Sequence, residues 1–133
     1  MSELPLLFYG RQSISQEDIS AVVEVLRGLN LTQGPAVAEF EKVLAHACGA
    51  KYAVAVSSAT AGLHIACLAA GVGPGDEVIT SPITFVASAN CALYCGARPM
   101  FADVDLPTAL ISPEKLSERL GPRTRAVIPV HFA

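Results

Sequence analysis

The chain has 133 residues, 52% of them apolar and 16% charged, with a formal net charge of −3 and a mean hydropathy of +0.47. That length accommodates one domain. The negative balance, without a basic stripe, argues against nucleic acid as a partner, and no uninterrupted apolar run of about 18 residues is present to cross a membrane.

So apolar a composition exceeds what the surface of a small soluble domain demands, and it reads as a piece of a larger core. The start, Met1-Ser2-Glu3-Leu4-Pro5, lacks the basic region of a signal peptide. Cys48, Cys67, Cys91 and Cys95 sit in apolar surroundings with no CxxC pair. They read as buried free thiols of a reducing cytoplasm, with no metal site.

In chain order, Ser15 caps a helix over residues 16–27, with Asp18 at the capping-box position and Gly28 as the stop. Residues 29–34 form a polar loop. Pro35 suits a first helical position, and Val37, Phe40, Val43, Leu44 and Ala47 make one apolar face before Gly49. The valine-rich run 52–56 predicts a strand, and 60–70 a helix of little polar surface stopped by Gly71. Gly73-Pro74-Gly75-Asp76 is a turn ahead of a strand over 77–80. A helix over 84–95, a strand over 99–104, a helix over 113–120 capped by Ser112 and a last strand over 125–130 complete the series.

Apolar strands alternating with helices predict a parallel sheet covered on both faces, an α/β fold of three layers. Ligands of such sheets collect at the carboxyl ends of the strands. Three segments fall there: Ser57–Thr60, Ser81–Phe85 and His131-Phe132-Ala133.

The first of these joins a strand to a helix through Ser57-Ser58-Ala59-Thr60-Ala61-Gly62. A helix start presents free N–H groups and the positive end of its dipole, which together attract an anion. The serine and threonine hydroxyls add donors, and Ala59 and Gly62 leave room for a phosphate. An ordinary cap by Ser58 or Thr60 accounts for the same residues without a ligand.

Phe85 is either a flat platform for an aromatic ligand or a core side chain. His131 suits an acid, a base or a structural histidine, whereas Asp103 and Asp105 read as turn formers. Arg119, Arg123 and Arg125 read as a solvated rim. Lys42, Lys51 and Lys115 all lie off the strand-end rim, so no residue here is assigned as a Schiff-base nucleophile.

Five ordered stretches carry a further signal: 10–12 (GRQ), 31–35 (LTQGP), 57–61 (SSATA), 71–79 (GVGPGDEVI) and 83–87 (ITFVA). Together they resemble the N-terminal third of the DegT/StrS family of pyridoxal-phosphate sugar aminotransferases. The resemblance implies a fold-type I, aspartate-aminotransferase-like large domain working as a homodimer. Residues 1–14 would be an N-terminal arm and 15–133 the first part of the cofactor-binding domain.

On this resemblance Ser58, Ala59 and Thr60 would bind the phosphate of pyridoxal 5′-phosphate, and Phe85 would stack on its ring. Tyr9, Leu29, Asn30, Leu31 and Thr32 would line the sugar-nucleotide side. The implied substrates are glutamate and a UDP-linked 4-keto-6-deoxy-N-acetylhexosamine of pseudaminic-acid or other surface-glycan synthesis. In the implied ping-pong transamination, the amino group passes from glutamate through the cofactor to the C4 ketone. The family's Schiff-base lysine would fall after Ala133, which predicts a chain inactive by itself. A non-catalytic α/β domain and a pyridoxal-phosphate sugar dehydratase are the alternative readings.

Overall fold

The computed structural model describes residues 10–131, in two compact units divided between Ala55 and Val56. The first contains helices α1 (Gln16–Arg27) and α2 (Pro35–Ala47). As the sequence predicts, α1 begins in a capping box: Asp18 N donates to Ser15 Oγ at 3.2 Å, and Ser15 N donates to Asp18 Oδ2 at 2.8 Å. Two backbone donors that lack helical acceptors are thereby satisfied. Ser15→Ala is expected to lower stability by about 1 kcal/mol, read as an earlier loss of helical circular dichroism in urea. An unmoved midpoint would show that the box does not hold α1.

Pro35 occupies the first turn of α2, after a loop that Gly34 closes. A Cβ on Gly34 would stand 2.9 Å from the carbonyl oxygen of Asn30, closer than real contacts allow. The loop was expected to be polar, yet Leu29 and Leu31 are both exposed within it. Ile19, Val22, Val25 and Leu26 of α1 and Val37, Phe40, Val43 and Leu44 of α2 are also exposed, leaving Ala45 as the buried residue of these helices.

Residues 52–56 depart from expectation: they join no sheet. Apolar alternation supplies a face, but only a neighbouring strand supplies the ladder that makes a strand. Among the described residues none pairs with this run, and the Ala55 N–H is satisfied instead by Glu41 Oε1 at 2.8 Å.

The second unit contains α3 (Ala59–Ala69), β1 (Glu77–Thr80), α4 (Ala87–Tyr94), β2 (Arg98–Phe101), α5 (Pro113–Arg119) and β3 (Thr124–Ile128). Its sheet has the order β2-β1-β3, and both pairings are parallel. Central β1 is buried along its whole length, and Val78 pairs with Pro99 on one side and Ala126 on the other. The α/β class and parallel sheet are as the sequence predicts.

Two boundaries differ by three residues. β2 stops at Phe101 because the chain turns back on itself, with Val104 bridged to Ile111 and Asp105 N bonded to Leu110 O at 2.8 Å. α4 starts three residues late because Ser81 Oγ accepts from Ile83 N at 3.2 Å, which holds residues 81–83 in a turn.

α3 and α4 pack together, and α4 rests on β1 and β2. Cys67, Cys91 and Cys95 join Val72, Val78, Ala92 and Ala97 in the core. Burial, with Cys91 alongside, pushes the Cys67 thiol up to about 11, so it remains a neutral packing group. Cys48 corrects the expectation of uniform burial, being exposed.

All three arginines expected on a solvated rim are exposed, and two of them also make defined contacts. Arg123 Nη2 lies 2.8 Å from Oε1 of buried Glu77, and Arg125 Nε donates to Ala70 O at 3.0 Å at the end of α3. No helix among the described residues is long and apolar enough to cross a membrane.

Candidate functional site

The head of α3 resolves which hydroxyl caps it. Ser58 is extended, with φ −164° and ψ 161°, and its Oγ accepts from Ala61 N at 3.2 Å. Gly62 N reaches Ser58 O at 3.0 Å and begins the helical ladder. Ala59 and Thr60, the first two helical residues, therefore point N–H groups outward without an intrahelical acceptor. The cap uses Ser58 and not the half-buried Thr60, whose hydroxyl has no hydrogen-bond partner among the described residues. No acidic residue lies in this first turn, so nothing there opposes the dipole's attraction for an anion.

Gly62 contributes less than its sequence position suggests. A Cβ there would meet Val56 Cγ2 at 3.5 Å, an ordinary contact. Opening of the helix head rests on Ala59 and on the free backbone donors.

The parallel ladder places Ser81 and residues 129–131 at one edge of the sheet, its carboxyl edge. Ser81 and His131, from two of the three predicted rim segments, are thus on that edge, and Phe132 and Ala133 lie outside the described residues. Ser57–Thr60 follows the unpaired run 52–56, so no ladder fixes it there. Phe85 lies just before α4, which packs against α3, and the residue is 72% exposed. Among the described residues, then, Phe85 does not pack in the core.

His131 is exposed beyond β3. Asp103 and Asp105 serve turns as expected, Asp103 Oδ1 accepting from Val104 N and Asp105 Oδ2 from Thr108 Oγ1. His64 meets the Tyr94 ring edge-on, with centroids 5.3 Å apart.

Each of the three lysines has an acidic or aromatic neighbour. Lys115 donates to Glu118 at 2.8 Å, and this partner holds its ammonium above the usual range. Lys51 lies over the Tyr52 ring, and Lys42 is 4.0 Å from Glu39.

Leu29, Asn30, Leu31 and Thr32 belong to the first unit. There Leu29 and Asn30 border a groove of about 490 Å³ with Val25 and Pro35. Tyr9 lies outside the described residues. Sequence reasoning missed the hydroxyls of Thr84 and Ser88, which share a hydrogen bond of 2.8 Å. Their spacing of four residues was the available signal.

A phosphorylated aromatic cofactor asks for anion donors without nearby acids and for an apolar platform beside a flat ring. The Ala59 and Thr60 N–H groups, the Thr60 hydroxyl and the exposed Phe85 ring meet those demands in kind.

Comparison with known proteins gives the same direction. The family model described as the DegT/DnrJ/EryC1/StrS aminotransferase family matches residues 12–133. The Bacillus subtilis spore coat polysaccharide biosynthesis protein SpsC is 52% identical over 124 residues, covering 93% of this chain and 32% of SpsC. An aminotransferase structure from Psychrobacter cryohalolentis superposes with a TM-score of 0.85 at 36% identity, over 96% of this chain and 33% of that one. The putative sugar aminotransferase Spr1654 of Streptococcus pneumoniae, in its PLP form, gives a TM-score of 0.80 at 31% identity, over 86% and 29%. The chain therefore spans about a third of the length of these relatives, and its α/β architecture is that of fold-type I aminotransferases.

Proposed function

The chain belongs to the DegT/DnrJ/EryC1/StrS aminotransferase family, and we propose that it supplies the phosphate-binding and ring-stacking parts of a pyridoxal 5′-phosphate site in a nucleotide-sugar aminotransferase. The observation that carries this reading is the head of α3. Among the described residues nothing accepts from its Ala59 and Thr60 N–H groups, while Ser58 satisfies Ala61.

In the proposed site Ala59 and Thr60 donate backbone N–H bonds to the phosphate, and the Thr60 hydroxyl adds a charge-assisted bond. Ser58 fixes the helix head and keeps its hydroxyl proton available as a further donor. Phe85 covers one face of the cofactor ring and excludes water from it. When bound, the cofactor supplies an electron sink and carries the amino group between substrates. The lysine that would bind it covalently is proposed to belong to a part of the enzyme beyond these residues.

Leu29, Asn30, Leu31 and Thr32, with Tyr9, are proposed to line the sugar-nucleotide side. The groove beside Leu29 and Asn30 supports a surface able to take an extended ligand. The substrate proposed is a UDP-linked 4-keto-6-deoxy-N-acetylhexosamine, aminated at C4 with glutamate as donor. SpsC, named for spore coat polysaccharide biosynthesis, supports a place in surface-glycan synthesis. We assign residues 1–14 as an arm, the rest as part of the large domain, and a homodimer as the working enzyme.

Amide-resolved NMR titration of the chain tests the core of this reading. Inorganic phosphate is expected to shift the amides of Ala59, Thr60 and Ala61. Pyridoxal 5′-phosphate should shift these and the signals around Phe85. Phosphate-induced shifts confined to other parts of the chain would overturn the assignment.

A further inference from the structure

Phe85 presents an unusual combination: the residue is 72% exposed, yet its carbonyl and the neighbouring Thr84 are both tied to Ser88. An exposed aromatic side chain has little packing to hold it, so its direction depends on the main chain beneath it. Ser88, 8% exposed, supplies two restraints at that point. Its N–H donates to Phe85 O at 3.0 Å, and its hydroxyl shares a 2.8 Å hydrogen bond with Thr84 Oγ1. The preceding turn is fixed independently, since the hydroxyl of fully buried Ser81 accepts from Ile83 N. Ser88 is itself anchored in the core side of α4, where Cys91 Sγ donates to its carbonyl at 3.4 Å.

We propose that Thr84 and Ser88 are positioning residues whose shared hydrogen bond presets Phe85 as a platform for the cofactor ring. This inference rests on the reading of Phe85 as that platform. A loop already held in its binding conformation loses less conformational freedom when a flat ring settles on it, so the bond contributes affinity without touching the ligand. The phosphate end of the same ligand binds at α3 and does not depend on the latch.

Affinities for two probes, pyridoxal 5′-phosphate and inorganic phosphate, test the proposal on the full chain. Thr84→Val removes the hydroxyl at nearly constant shape and is expected to weaken pyridoxal 5′-phosphate by on the order of fivefold. Affinity for inorganic phosphate should stay at the wild-type value. Thr84→Ser, which retains the hydroxyl, should restore pyridoxal 5′-phosphate binding. Thr84→Val should also add little once Phe85→Ala is present, because both act through one ring.

If Phe85→Ala weakens pyridoxal 5′-phosphate but Thr84→Val does not, the latch is wrong and the platform stands. If Phe85→Ala itself has no effect, the platform is wrong and the latch falls with it. An equal loss of inorganic phosphate in Thr84→Val would indicate general damage to the fold and would overturn the positioning role.

Discussion

Ile79→Ala is expected to lower the stability of the second unit by about 2–5 kcal/mol. Ile79 is completely buried in the middle of the central strand, with β2 on one side and β3 on the other. Truncation removes apolar burial and leaves a cavity that two flanking strands cannot both move to fill. Against a typical domain stability of about 5–15 kcal/mol, that is a large fraction. Urea unfolding followed by circular dichroism measures it, and Ile79→Val should lose only about 0.5–1.5 kcal/mol. A loss under about 1 kcal/mol for the alanine variant would mean that β1 is not the packed centre of this unit.

The second large effect falls on ligand binding. Thr60→Val should weaken pyridoxal 5′-phosphate by about 1–3 kcal/mol, the range for a hydrogen bond to a charged group. Valine keeps the shape of threonine and removes only the hydroxyl. The helix cap belongs to Ser58, so unfolding by urea should move little. Calorimetric titration separates the outcomes: an unaltered affinity would leave Thr60 as a helix residue with no part in phosphate binding. Loss of affinity together with a large fall in stability would assign it a structural role instead.

Much of this architecture could be read locally. The Ser15–Asp18 box, Pro35 at the start of α2, the strand over 77–80 and the Ser112 cap all depend on residues a few positions apart. The class of sheet followed from apolar strands alternating with helices. What escaped local reading was pairing over distance. Residues 52–56 have the composition of a strand, but composition cannot supply a neighbour.

The exposure of Arg123 and Arg125 is legible locally, but their partners, Glu77 and Ala70, lie 46 and 55 positions away. At the candidate site, the donors at α3 were legible from small and hydroxyl residues at a helix start. Choosing between Ser58 and Thr60 as the cap required the backbone itself. The Thr84–Ser88 pair had readable spacing, but its importance depends on Phe85 being exposed, and no local pattern reports that.

The register of β2 has a bearing on solubility. Arg98 N and Ala102 N both donate toward β1, to Asp76 O just before it and to Thr80 O at its end, at 2.9 and 3.1 Å. Donors along a parallel strand alternate in direction, so the nitrogens of Pro99 and Phe101 face the other flank. Among the described residues no strand pairs with that flank. Proline there costs the existing ladder nothing, because the missing N–H was never directed at β1. It does deny a hydrogen bond to any foreign strand that approaches, which is a guard against edge-to-edge aggregation.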